Sequence, residues 1–230
     1  MKFSLIIPCF NEAKNIPLLL ERCGGITRLG EIEIILVDNG STDESQEVLA
    51  RIIKDYPGCR SIRVEVNRGY GFGILAGLRS AEGEILGWTH ADMQTDPADA
   101  VTGLRYFEKY GDAVFCKGRR FERPMFDVLF TIGMSFFESI LLRQFMWDIN
   151  AQPTMFPRKF FETWRAPPDD FSLDLYAFYE AKRQNIKVRR FPVEFGEREY
   201  GESHWNLDWK SKWKFIQRTV SYSLKLRERV

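Results

Sequence analysis

The chain has 230 residues, of which 28% are charged and 44% are hydrophobic, and its formal net charge is +1. This length supports one domain with a sizeable core, and an aromatic content of 14% excludes a disordered chain. A net charge near zero gives no support for binding to nucleic acid through bulk charge.

The predicted elements of the first half alternate between strands and helices. Strands are predicted at residues 3–10, 31–39, 62–66 and 84–89, and helices at 15–23, 43–54, 72–81 and 97–109. The pair Ser41 and Glu44 resembles a capping box at the start of the second helix. Repeated strand–helix units predict an α/β protein with a mainly parallel sheet flanked by helices.

The second half is less regular. Strands are predicted at residues 112–117, 150–156 and 187–195, and helices at 124–147, 172–185 and 208–229. No repeat or linker divides the sequence, so we predict a single domain over residues 1–230.

The two halves differ in charge and aromatic content. Residues 1–112 contain 12 basic and 17 acidic residues, whereas residues 113–230 contain 21 and 15. The second half also holds 15 of the 19 Phe and five of the six Trp residues. We therefore expect the C-terminal half to present an aromatic, basic surface.

The cysteines and apolar segments indicate a cytoplasmic protein. The cysteines are widely scattered, which favours reduced thiols over disulfides or a zinc site; they are Cys9, Cys23, Cys59 and Cys116. The N-terminal apolar run stops at Pro8, which favours a buried first strand over a signal peptide. The apolar segment 128–142 contains Glu138 and is expected to be too short to cross a bilayer.

Polar residues follow three of the predicted strands, at the edge where ligands bind in parallel sheets. Each group alone is typical of a turn or a helix cap, but three groups at one edge favour a polar site. His90, Asp92 and Gln94 project to one side if their segment stays extended. They would then offer one nitrogen and several oxygens to a divalent cation that bridges a diphosphate.

Several motifs follow one another along the chain at a characteristic spacing. They are Pro8-x-x-Asn11-Glu12, Asp38-x-Gly40-Ser41-x-Asp43, Gly69-x-Gly71, Ala91-Asp92-x-Gln94, Gly118-Arg119-Arg120, Asp148 and Arg198-x-x-Gly201-x-Ser203. This pattern resembles the family 2 glycosyltransferases with the GT-A fold. The branch it is most similar to contains the dolichol-phosphate mannosyltransferases and other polyprenyl-phosphate glycosyltransferases.

The resemblance implies a nucleotide-sugar site in residues 1–112. Pro8, Asn11 and Glu12 would line the nucleotide pocket, Asp38 would contact the base or ribose, and Gly69 and Gly71 would belong to the same site. The glycine pair follows the third predicted strand rather than the first, which disfavours a dinucleotide-binding Rossmann site.

The resemblance also implies a divalent metal, Mn²⁺ or Mg²⁺. The family's DxD motif falls on His90, Ala91 and Asp92, so His90 stands where Asp is usual, and Gln94 would be a further ligand or sugar-phosphate contact. Imidazole suits Mn²⁺ better than Mg²⁺. The alternative is that His90 only hydrogen-bonds a phosphate.

Residues 113–230 would hold the acceptor. Arg119, Arg120 and Arg198 are candidates to bind phosphates, because guanidinium suits bidentate phosphate recognition. One of the two adjacent arginines is expected to lie in a solvated loop. Asp174 is the candidate general base if the acceptor is a hydroxyl. The alternative is that Asp174 is an ordinary carboxylate in the first turn of a helix, where the helix dipole favours it. Asp148 would touch the sugar or orient an arginine.

Two helices could meet a membrane, at residues 125–147 and 208–229. In the second, Trp209, Trp213, Ile216 and Val220 form one stripe, with basic residues beside it. There are two alternatives to a membrane contact: the helices pack on the core, or they form a homo-oligomer interface. If they meet a membrane, the protein is peripheral on its cytoplasmic face.

Three functions are compatible with these features. The first is an inverting, metal-dependent transfer of a sugar from a nucleotide-sugar to a polyprenyl phosphate. The second is the same donor chemistry with a saccharide or protein hydroxyl as acceptor. The third is a non-catalytic nucleotide-sugar-binding subunit, which the missing Asp at position 90 motivates.

Overall fold

A single seven-stranded sheet runs through the computed structural model, which describes residues 2–122, 124–196 and 209–228. The strand order is β3-β2-β1-β4-β6-β5-β7, so both halves of the chain contribute to one sheet. The strands are β1 (Phe3–Cys9), β2 (Ile32–Asn39), β3 (Cys59–Val64), β4 (Ile85–Trp88), β5 (Val114–Phe121), β6 (Thr154–Pro157) and β7 (Lys187–Glu194).

Helices cover both faces of this sheet. They are α1 (Ile16–Thr27), α2 (Ser45–Ile52), α3 (Tyr70–Ser80), α4 (Asp99–Tyr110), α5 (Met125–Leu142), α6 (Arg158–Glu162), α7 (Leu173–Arg183) and α8 (Trp209–Arg227). Alternate residues of β1 enter opposite cores: Ile6 packs with α3 and α7, whereas Leu5 packs with α1 and α4. This alternation follows from the period of two along a strand.

The prediction of a mainly parallel α/β sheet is confirmed. β1 pairs in parallel with β2 and β4, and β2 with β3. β5 also pairs in parallel with β7, and β6 alone among the described strands is antiparallel to its neighbours. The carboxyl ends of β1, β2 and β4 consequently meet at one edge.

The capping box predicted at Ser41 and Glu44 is wrong. Helix α2 begins at Ser45, and the Ser41 hydroxyl instead accepts a hydrogen bond from the Asn11 backbone N–H at 3.0 Å. Asp43 Oδ1 accepts from the Ser45 N–H at 3.0 Å. The Ser41 side chain therefore ties two loops together instead of starting a helix.

Helix α5 has the reverse of the usual polarity of a surface helix. Its outward residues are large and apolar, whereas its buried residues include Ser135 and Glu138. The exposed apolar residues are Met125, Phe126, Val128, Leu129, Ile132, Phe136, Phe137 and Ile140. An apolar face of this extent, directed away from the core, is typical of a contact with lipid or with another protein.

The expectation that this apolar segment is too short to cross a membrane is also wrong. Helix α5 begins at Met125, within the predicted helix at 124–147, and by length and composition it could cross a membrane. Glu138 does not interrupt the apolar face, because it points inward and accepts a hydrogen bond from Ser223 Oγ of α8 at 2.5 Å.

Burial of Glu138 between α5 and α8 predicts a pH-dependent stability. Burial raises the pKa of Glu138 from 4.5 to about 7, against the opposing effect of the Ser223 hydroxyl. Between these two pH values the folded state binds more protons than the unfolded state, so the free energy of unfolding falls as pH rises through this window. We expect Glu138→Gln to remove this dependence, which amounts to about 2–3 kcal/mol.

The measurement is urea unfolding of the parent protein and the Glu138→Gln variant at pH 4.5 and pH 8. The control is Glu21→Gln, on the exposed surface of α1. The stability of the Glu138→Gln variant relative to the parent should increase with pH, whereas the control should show no such trend. Parallel pH profiles for the parent and Glu138→Gln would contradict this role of Glu138.

Candidate active site

A cleft of about 610 Å³ opens at the carboxyl edge of the sheet. One wall consists of the end of β2 and the loops that follow β1, β3 and β4, and the other consists of α5, the start of α7, and α8. Predicted site residues that line it are Pro8, Glu12, Gly69, His90, Asp92, Gln94, Arg120 and Asp174. The cleft therefore brings together groups from both halves of the chain.

Asn11 and Asp38 shape the loops beside the cleft and are not among its lining residues. Asn11 has a φ of 58°, and its Oδ1 accepts a hydrogen bond from the Thr42 N–H at 2.8 Å. Asp38 is buried, and its two carboxylate oxygens accept from the Ser41 N–H and from Arg63 Nη1, each at 3.0 Å. Both residues fix the relative position of the first two loops.

The two predicted glycines permit a close backbone approach. Gly69 lines the cleft with a φ of 109°, and its carbonyl accepts from Asn39 Nδ2 at 2.9 Å. Gly71 lies outside the lining, and a Cβ there would lie 2.6 Å from the Asp170 carbonyl oxygen. Gly71 thus allows the start of α3 to pack against the segment before α7.

The third loop turns back on itself instead of staying extended. Met93 has a φ of 59°, and Asp92 Oδ1 accepts from the Gln94 N–H at 3.2 Å. His90, Asp92 and Gln94 all still line the cleft. The Gln94 side-chain amide donates to the Gly196 carbonyl at 3.2 Å, which connects this loop to the end of β7.

The donor set of this loop fits a metal shared with a ligand. Across residues 2–122, 124–196 and 209–228, no group of three or more His, Cys, Asp or Glu is placed to hold a metal ion. His90 and Asp92 offer one imidazole and one carboxylate, a pair that suits Mn²⁺. The remaining positions would have to be filled by oxygen atoms of the ligand or water.

An aromatic stack supports the His90 side of the cleft. The Tyr70 ring lies 5.8 Å from the His90 ring and 4.7 Å from the Phe171 ring, measured between centroids. The guanidinium of Arg218 from α8 lies 4.9 Å from the Phe171 ring and also lines the cleft. Arg218 Nε is 3.7 Å from Asp170 Oδ2.

Of the two adjacent arginines, Arg120 faces the cleft and Arg119 is exposed outside it. Arg120 donates to the Asp148 carboxylate through Nε at 3.0 Å and through Nη2. Burial opposes ionisation of Asp148, but Arg120 outweighs it, so the pKa of Asp148 lies below its ordinary value. Asp148 thus orients Arg120, one of the two roles predicted for it.

Asp174 lies at the back of the cleft in a buried polar network. Its Oδ1 accepts from Gln152 Nε2 at 2.6 Å and lies 3.7 Å from Lys117 Nζ. Lys117 is fully buried and donates to Thr154 Oγ1 at 2.7 Å. Burial lowers the pKa of Lys117 to about 8, while Asp174 favours its charged form.

The sequence reasoning did not identify Lys117 or Arg218 as site residues. A lysine within the apolar strand β5 was a usable signal for Lys117, because lysine is almost never fully buried without a partner. Arg218 gave no such signal, since it lies among other cations of a basic helix. Arg198 and the rest of its motif lie outside the described residues.

Comparison with known proteins identifies the fold and the family. Glucosyl-3-phosphoglycerate synthase from Mycobacterium tuberculosis, in complex with Mn²⁺, UDP and glucosyl-3-phosphoglycerate, superposes with a TM-score of 0.71 at 17% identity, over 98% of this chain and 79% of that one. A mannosyltransferase from Pyrobaculum calidifontis, in complex with GDP-Man and Mn²⁺, superposes with a TM-score of 0.68 at 20% identity. This superposition covers 97% of this chain and 64% of the mannosyltransferase. The fold is therefore the GT-A glycosyltransferase fold, as predicted.

The sequence profile of glycosyl transferase family 2 matches residues 4–161. The chain belongs to this family, which confirms the resemblance.

The sequences of similar curated proteins match about half of this chain. The undecaprenyl-phosphate 4-deoxy-4-formamido-L-arabinose transferase of Photorhabdus laumondii is 36% identical over 119 residues. The protein of the same name from Yersinia enterocolitica is 37% identical over 117 residues. Each match covers 49% of this chain and 36% of the relative, so the chain matches about a third of the length of these proteins.

The buried contact between Lys117 and Asp174 predicts a large loss of stability in Lys117→Met. Removing the cation leaves a carboxylate buried without its opposite charge, which costs about 3–5 kcal/mol. Lys159→Met is the matched control, because Lys159 pairs with Asp112 at 2.9 Å on the exposed surface, where such pairs contribute little to stability. Urea unfolding measures both, and equal losses would contradict the role assigned to Lys117.

Proposed function

We propose that the protein is an inverting, metal-dependent glycosyltransferase that moves a sugar from a nucleotide-sugar to a polyprenyl phosphate. The observation that carries this proposal is the cleft itself. It joins the polar edge of the sheet, with His90, Asp92 and Gln94, to the inner side of the apolar helix α5. A cleft with these two walls suits a polar donor and an acceptor that is anionic at one end and apolar at the other.

The donor is assigned to the sheet edge. Asn39 Oδ1 is buried in the cleft and has no hydrogen-bond partner among the described residues, so it is available to accept from a ribose hydroxyl. His90 and Asp92 would hold Mn²⁺ or Mg²⁺, with Gln94 as a further ligand or a sugar-phosphate contact. When bound, the metal supplies positive charge that stabilises the leaving diphosphate.

The acceptor phosphate is assigned to the cations of the opposite wall. A phosphate oxygen attacks the anomeric carbon as the bond from that carbon to the diphosphate oxygen breaks, so the configuration inverts. The phosphate is already ionised and needs no general base. Arg120, fixed by Asp148, and Arg218 can bind its oxygens. Arg198 stays a candidate for the same role. Of the adjacent pair Arg119 and Arg120, we assign the exposed Arg119 to the solvent and give it no role in binding.

The contacts of Asp174 favour this acceptor over a hydroxyl. A general base needs a carboxylate oxygen within reach of the acceptor proton. Asp174 Oδ1 already accepts from Gln152 Nε2 and lies 3.7 Å from Lys117 Nζ. Because this oxygen is engaged by protein groups, Asp174 is better placed to accept a hydrogen bond from a sugar hydroxyl than to take a proton from an acceptor.

A membrane surface is the proposed location. The curated relatives are named for an undecaprenyl-phosphate acceptor, and the outward face of α5 is apolar. The four cysteines are free thiols, which is compatible with the cytoplasmic side. We assign the protein to the cytoplasmic face of a membrane, with α5 against the lipid.

The test is sugar transfer from a panel of nucleotide-sugars, with Mn²⁺, to a short-chain polyprenyl phosphate in detergent. We expect the lipid-linked sugar as product, and Asp92→Asn should lower turnover about 100-fold or more, because charge on the diphosphate is no longer stabilised. Asp96→Asn is the control: Asp96 lies on the same loop but pairs with Arg22 at 2.8 Å outside the cleft.

Two outcomes would contradict the proposal. Transfer to a saccharide or protein hydroxyl, lost in Asp174→Asn and absent with the lipid phosphate, would establish the hydroxyl reaction instead. Nucleotide-sugar binding without turnover on any acceptor would establish a non-catalytic binding subunit.

A further inference from the structure

A second groove, of about 370 Å³, lies at the free edge of the sheet, outside the candidate active site. The edge strand β7 forms its floor with Val188, Arg189 and Arg190. Its walls come from α4, α7 and the segment that follows α5, through Tyr106, Phe145, Trp147, Phe178 and Lys182. Among the described residues, the lining combines three cations with four aromatic rings and contains no carboxylate.

The cations of this groove belong to a larger basic patch. The charged groups of Lys109, Lys187 and Arg189 lie 5.3, 5.7 and 4.9 Å from the centre of the Tyr110 ring. No described carboxylate lies within ion-pair distance of these three or of Lys182. Arg189 Nε is buried and lacks a hydrogen-bond partner among the described residues. Four cations with no acidic partner in the described part of the chain create a site that attracts an anion.

Arg190 gives this patch a rigid base. Its guanidinium donates to the Gly118 carbonyl at 2.9 Å and to the Trp147 carbonyl, and it lies 5.2 Å from the Phe178 ring. These contacts hold the segment around Trp147 against β7. The base of the groove at Arg190 is therefore fixed by hydrogen bonds and a ring contact.

One side of the groove is formed by the segment that directly follows α5. Phe145 lines the groove, is 70% exposed, and follows the last residue of α5 by three positions. The Trp147 ring adds an amphipathic group at the same place. An apolar face beside cations and a Trp is the composition of a protein surface that lies at a membrane interface.

We infer that the β7 edge groove binds the phosphate headgroup of an anionic phospholipid while the outward face of α5 contacts the acyl region. This inference rests on the proposed function in placing the protein at a membrane, and it adds the lipid charge that is recognised. A second copy of the chain could also cover these surfaces, with its acidic first half on the cations and its own α5 on the apolar face, so its binding is one outcome of the experiment.

The experiment is flotation with vesicles of phosphatidylcholine alone and of phosphatidylcholine mixed with phosphatidylglycerol, without donor or acceptor. We expect the parent protein to prefer the mixed vesicles and to lose the preference at high salt. The double variant Lys182→Gln/Arg189→Gln should bind mixed vesicles about 30-fold more weakly at low salt, since each cation contributes about a factor of five. Its binding to neutral vesicles should be unchanged.

The control is Arg51→Gln/Lys54→Gln, which removes two exposed cations beside the opposite edge strand β3 and should bind like the parent. An equal loss in this control, or no loss in the groove variant, would overturn the inference. So would a parent protein with no preference for phosphatidylglycerol, a result that does not depend on any variant folding. Self-association lost in the groove variant without a change in flotation would assign the groove to a second copy.

This experiment separates the two proposals, because flotation requires no catalysis and the transfer assay in detergent requires no bilayer. Sugar transfer to the lipid phosphate without a preference for anionic vesicles would refute the groove and leave the reaction intact.

Discussion

The parallel pairing of β1 with β2 and with β4 is the constraint on which the rest of the site depends. Cys9 lies opposite Asp38 in the register of β1 and β2, and Ile6 lies opposite Trp88 in that of β1 and β4. Three loops that are far apart in sequence must therefore emerge at one edge. Hydrogen bonds between Asn11 and the Ser41–Thr42 turn then lock the first two loops together.

The second half of the chain closes this edge into a cleft. β6 inserts antiparallel between β4 and β5, which brings Gln152 and Lys117 behind the site, where they hold Asp174. Helix α5 turns its polar residues inward and its large apolar residues outward. The cleft thus has two sides, one assigned to a nucleotide-sugar and the other, with Arg120 and Arg218, to a lipid phosphate.

Local pattern predicted most of the fold. Runs of Ile, Val and Leu marked the strands because buried parallel strands are apolar on both faces. The boundaries were less accurate: β3 begins at Cys59, three residues before its predicted start, because an edge strand is partly exposed and its pattern is weak. The capping box failed because Ser41 has a tertiary partner, Asn11, that no local pattern reveals.

The candidate site was predictable where the polar groups follow strands directly, as His90, Asp92 and Gln94 do. It was not predictable where long-range packing decides. Adjacent residues of a strand point to opposite sides, so one of Arg119 and Arg120 had to face away, but the phase is set by pairing with β7. The partnership of Lys117 with Asp174 joins β5 to α7 and is visible only in the structure.

Pulsed electron paramagnetic resonance of bound Mn²⁺ tests the central claim, that the loop after β4 holds a metal together with a nucleoside diphosphate. With the diphosphate present, the spectrum should show a nitrogen hyperfine coupling, lost in His90→Phe, and a phosphorus coupling from the ligand. Mn²⁺ binding that the diphosphate does not strengthen, or a phosphorus coupling with no nitrogen coupling in the parent protein, would contradict it.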